Sequence, residues 1–190
     1  TGSFGIAIKT VNTGTGNLLL VGASTAGTNS VGNVTVYTVT GNLVTGNVAN
    51  VVLTSSQTII GQYQNNSSGF GTCLDTDSVG GNLFVGIPFS TSSGILNGLV
   101  ERYTLSSGTY NYDSSIAHPE SAIGTFGSSI SVSGDSKVLA VGSRGSATSE
   151  RTTFDENTLI IDSATTMFID EIFNSGVVYI FEPLIDQSIV

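Results

Sequence analysis

The stretch Phe126-Gly127-Ser128-Ser129-Ile130-Ser131-Val132-Ser133-Gly134-Asp135, followed by Leu139-Ala140-Val141-Gly142, decides how this chain of 190 residues is read. Phe126, Ser128, Ile130 and Val132 alternate with Gly127, Ser129 and Ser131, the two-residue period of a half-buried strand. The Leu-Ala-Val-Gly run is apolar at both parities, as expected of a strand covered on both faces. Phe-Gly recurs at Phe4-Gly5 and Phe70-Gly71, and every copy leads to a Val-Gly: Val21-Gly22, Val85-Gly86 and Val141-Gly142. The offsets from Phe to Val are 17, 15 and 15 residues. A third element, Gly-x-Val-x-x-aromatic, follows as Gly32/Val34/Tyr37, Gly98/Val100/Tyr103 and Gly176/Val178/Phe181. Three elements in one order, three times over, make an internal repeat.

A more variable fourth strand is expected at 50–54, 109–112 and 184–190, and no segment sustains a helical period. The expected fold class is therefore all-β, with three four-stranded antiparallel units in a single domain, 1–190. The units run 1–66, 67–122 and 123–190, the last with an insertion at 143–175. Units of four strands marked by Gly and aromatics are the sequence cue for propeller blades. The Phe would plug the gap between neighbouring sheets, and the Gly beside it would let backbones approach where a Cβ would not fit.

These residues resemble the FG-GAP repeat of integrin-α-type β-propellers, in the calcium-free variant whose first turn is Ser133-Gly134-Asp135. The third copy is the nearest match. The Gly-Ala-Pro that ends the motif is replaced by Gly22-Ala23-Ser24, Gly86-Ile87-Pro88 and Gly142-Ser143-Arg144. Closed propellers typically have 4–8 blades, so three copies imply an open arc or part of a β-propeller. Its two end faces would be apolar and in need of cover. The resemblance thus implies partners: other copies of this chain, or the remaining blades of a larger protein. It also implies an extracellular or cell-surface location.

Composition narrows the function. Lys+Arg is 5 against Asp+Glu 14, a formal charge of −9, which leaves no basic patch for a nucleic acid. No run approaches the roughly 18 apolar residues of a membrane span, so no membrane insertion is expected. Cys73, the single cysteine, excludes an intrachain disulfide.

Candidate sites are few. Asp75 and Asp77 are spaced as two ligands of a weak Ca²⁺ site, but hard Ca²⁺ takes 6–8 oxygens, and turn carboxylates bonding local backbone are the preferred reading. No other cofactor is expected. The insertion carries Ile160, Met167, Phe168, Ile172 and Phe173 on an expected hairpin, candidate contacts with a partner. Cys73 fills a small-residue slot shared with Ala7 and Ser129 and is expected to be buried and inert. His118, before Pro119, is expected at the surface. No catalytic constellation is present, so no catalytic residue is assigned. The expected function is a non-enzymatic structural or adhesive protein. The alternatives are a glycan-binding module, Ca²⁺-assisted and stacking sugars on Tyr110 and Tyr112, or an accessory domain of a secreted enzyme.

Overall fold

β-Branched and aromatic residues between Gly-rich turns leave the backbone one economical way to satisfy its N–H and C=O groups, pairing strand with strand. The computed structural model describes residues 2–41, 51–63, 66–92, 95–119, 124–144 and 177–181, which are almost entirely strands and their turns. The first sheet holds β1 (Phe4–Asn12), β2 (Asn17–Ala23), β3 (Asn33–Thr40) and β4 (Val52–Ile59), side by side in chain order. In the second, β5 (Leu74–Thr76) and β6 (Asn82–Ile87) are followed by a two-stranded excursion, β7 (Thr91–Ser92) and β8 (Ile95–Leu96). The sheet resumes with β9 (Leu99–Ser106) and β10 (Thr109–Ala117), in the order β5-β6-β9-β10. The third contains β11 (Thr125–Val132), β12 (Leu139–Arg144) and β13 (Val177–Phe181). Every ladder within these sheets is antiparallel, and no sheet closes on itself.

The structure moves several expected boundaries. The strand expected at 50–54 runs over Val52–Ile59, and that at 109–112 continues to Ala117. Both extensions are polar, Thr54-Ser55-Ser56-Gln57 and Asp113-Ser114-Ser115, and are held by ladder bonds that do not depend on side-chain type. Phe70 precedes β5 instead of opening it, because Gly69 and Gly71 both take positive φ (77° and 85°) and Thr72 closes a turn onto Gly69 O. The alternation around Phe126 is broken by a bulge between Phe126 and Ser129, which turns Ser128 aside so that its hydroxyl donates to Gly142 O (3.1 Å). The strand expected at 184–190 lies outside the described residues.

The sheets stack face to face in sequence. Val11, Leu20, Val34, Val36 and Ile59 of the first meet Leu74, Leu83, Val85, Ile87, Tyr103 and Tyr110 of the second in one cluster, with Phe70 among them. A second cluster joins Phe84 and Val100 to Phe126, Leu139, Val141, Tyr179 and Phe181 of the third. The middle sheet is therefore buried on both faces, which is why β6 reads Leu-Phe-Val-Gly-Ile with no polar alternation.

Candidate functional site

The two sheet-to-sheet junctions are built alike, and the repeat residues build them. Gly5, Gly71 and Gly127 share a φ of 85°, a left-handed conformation that a side chain would strain. Phe70 donates its N–H to Val31 O (2.9 Å) and forms a parallel bridge to Gly32, and Phe126 bridges to Gly98 in the same way. A Cβ on Gly71 would lie 2.7 Å from Asn33 O and 3.3 Å from Val34 Cγ2. On Gly127 it would lie 2.6 Å from Leu99 O and 3.2 Å from Val100 Cγ2. From the other side, Cβ atoms on Gly22 and Gly86 would collide with the carbonyl oxygens of Gly71 and Gly127. Phe70-Gly71 and Phe126-Gly127 thus each dock backbone-to-backbone on the Val-Gly strand and third strand of the sheet before them. The Phe ring fills the space beside that contact: Phe70 lies edge-on to Tyr103 (6.2 Å), and Phe126 to Tyr179 and Phe181 (5.5 and 6.1 Å).

Among the described residues, the end sheets carry the same parts without a neighbouring sheet. By register, Phe4 and Ile8 lie opposite Ala23 and Val21, on the face of the first sheet turned away from the second. Phe4 is 60% exposed, whereas Phe70 and Phe126 are 1% and 0%. Ile6, Ile8 and Leu53 are also exposed. At the other end, Gly142 pairs with Val178 as Gly22 does with Val34 and Gly86 with Val100. Val178 is 38% exposed where Val34 and Val100 are 0%.

Polar groups reinforce the junctions. Glu101, fully buried, accepts the N–H groups of Gln62 (2.9 Å) and Tyr63 (3.1 Å) in the connection between the first two sheets, and the Tyr103 hydroxyl. Burial pushes its carboxyl above the ordinary range, although these donors pull the other way. Gln57 acts as a side-chain rung, donating to Tyr110 O (2.7 Å) and accepting from Tyr110 N (2.9 Å). The sequence reading missed Glu101 and Gln57, since a lone Glu or Gln in a strand carries no local signal.

Glu101 yields a pH test. A carboxyl raised by folding adds most stability below its unfolded value and loses that contribution as pH rises through its folded one. Glu101→Gln stays neutral, keeps an acceptor for Gln62 and Tyr63, and can donate to the Tyr103 oxygen. Relative to wild type, its melting temperature is expected to rise as pH climbs above the ordinary carboxylate range. A parallel pair of melting curves from pH 4 to 8 would refute the assignment.

Asp75 pairs with Lys9 Nζ (2.6 Å) and accepts from Val132 N (2.9 Å), tying all three sheets together. Asp77 accepts from Gly81 N (2.8 Å), Asn82 N (3.0 Å), the Asn82 amide (2.7 Å) and the Ser136 hydroxyl (2.8 Å). Burial alone would raise its carboxyl, but these hydrogen bonds outweigh that and hold it below the ordinary range. Among the described residues no group of three or more His, Cys, Asp or Glu is placed to hold a metal. Cys73 donates to Gly127 O (2.9 Å), and burial pushes its thiol up to about 12. His118 is buried and not at the surface, because its ring packs edge-on against those of Phe126 and Tyr179. Tyr110 is buried too, its hydroxyl donating to Gly80 O (2.8 Å), so only Tyr112 of the two presents a ring to solvent. Ile160, Met167, Phe168, Ile172 and Phe173 lie outside the described residues. Among those described, no helix is long and apolar enough to cross a membrane. Comparison with protein-family models and with curated proteins returned no match for this chain.

Proposed function

We propose that the chain is a non-enzymatic structural or adhesive protein of the cell exterior or surface. In this reading the three stacked sheets are propeller-type blades of the FG-GAP kind, and they associate with further copies or with the rest of a larger chain. One observation carries it: the Phe that is buried at both internal junctions is three-fifths exposed on the first sheet, on a face whose β1–β4 residues include no charge. An uncharged face holding Phe4, Ile6, Ile8 and Leu53 in water is the mark of a contact surface. Asp75, Asp77, Glu101 and the Cys73 thiol each bond to a neighbouring sheet or to the connection between sheets, which fits a scaffold.

The direct test is homotypic adhesion. Beads coated with the chain are expected to cluster, and albumin-coated beads to stay dispersed. Dispersed beads at every ionic strength, with the chain folded by circular dichroism, would remove the adhesive reading.

A further inference from the structure

We propose that two copies of this chain join head to tail, the Phe4-Gly5 edge of one docking on the Gly142/Val178 face of the next. The inference rests on the structural reading above and specifies its contact.

Both halves of one junction stand at opposite ends of the same stack. The socket used by Phe70-Gly71 consists of Gly22 and Val34, and that used by Phe126-Gly127 of Gly86 and Val100. The register of the third sheet puts Gly142 and Val178 at those two positions, beside Ser129 where the inner copies have Ala7 and Cys73. The nearest atoms to a Cβ on Gly142 belong to the Ser129 and Ser128 side chains, where at Gly22 and Gly86 the nearest is the carbonyl oxygen of the following Phe-Gly. The plug at the other end is already shaped, since Gly5 holds the φ of 85° that Gly71 and Gly127 adopt when docked. Docking therefore requires little backbone ordering at that turn, which favours association. A copy of the chain fits this surface by the geometry it already uses twice.

The contact is heterologous, because the two docking faces differ. Such contacts close into rings when the rotation allows and otherwise extend as filaments. Two copies would bring six of the larger sheets together. Each copy carries a formal charge of −9, so added salt screens their repulsion and should strengthen an apolar contact.

The experiment uses complementary variants, Phe4→Asp without a plug and Val178→Asp without a socket. The wild type is expected to exceed the 19.5 kDa of one chain by light scattering, rising with concentration and salt. Each variant alone is expected to remain a monomer, and an equimolar mixture to form one-to-one pairs through the single intact contact. If Val178→Asp lowers the melting temperature, Ser129→Arg, at an exposed position on the same face, replaces it. A wild type that stays monomeric at all concentrations overturns the proposal. So does a Phe4→Asp variant destabilised as strongly as Phe70→Ala, which would mean that the chain covers Phe4 itself. Val178→Asp and Ser129→Arg variants that still self-associate, with no rescue on mixing, would mean plug-to-plug contact instead. Beads that cluster regardless of either variant would sink this contact and leave the adhesive reading standing; dispersed beads would sink that reading instead.

Discussion

Gly86→Ala is expected to lower the melting temperature by roughly 6–12 °C, while Gly142→Ala, the same step in the third sheet, shifts it little. The methyl group at Gly86 would run into Gly127 O and come within 2.5 Å of Cys73 Sγ. A carbonyl fixed in a bulge cannot turn aside, so the second and third sheets would have to separate. Overpacking that moves backbone costs about 3 kcal/mol, and for a domain of this size each kcal/mol is worth about 2–4 °C. Gly22→Ala meets Gly71 O in the same way and should behave alike. At Gly142 the methyl group meets a serine side chain that can change rotamer. Thermal melts of the three variants, made at a concentration where wild type is monomeric, test the comparison. Equal losses at Gly86 and Gly142 would contradict a junction-specific role.

Truncating the repeated Phe should separate the copies just as sharply. Phe126 is fully buried among His118, Tyr179 and Phe181, and Phe70 lies against Tyr103. Phe126→Ala and Phe70→Ala are each expected to cost about 3–5 kcal/mol, the range for a core Phe that leaves a cavity. Phe4→Ala should cost within about 0.5 kcal/mol in the monomer, because an exposed ring leaves no cavity behind. Denaturant titrations followed by circular dichroism give all three values. A Phe4 loss matching the other two would mean that its ring is covered in the folded monomer.

The internal repeat was legible because its residues answer to local geometry. A glycine at positive φ, a Val-Gly with no room for a Cβ, and an aromatic three residues after a Val recur in one order wherever the junction recurs. Strand ends were less legible. Ser, Thr and Asn serve in this chain both as turns and as strand residues, and Thr54 to Gln57 gave no apolar period although β4 runs through them. Long-range polar pairs were not legible at all. Glu101 meets Gln62 across 39 residues of sequence and Asp77 meets Ser136 across 59. His118 read as a surface residue because nothing near it in sequence announces the two rings that enclose it.

Composition and periodicity alone determined an all-β chain of repeated sheets with no basic surface, since charge balance and the two-residue period are properties of short stretches. Only the tertiary structure decided which Phe is covered and which is bare. The three Phe-Gly copies read alike in sequence, and what distinguishes Phe4 is that no sheet precedes it among the described residues. Burial depends on what packs from the far side, and that is a property of the stack.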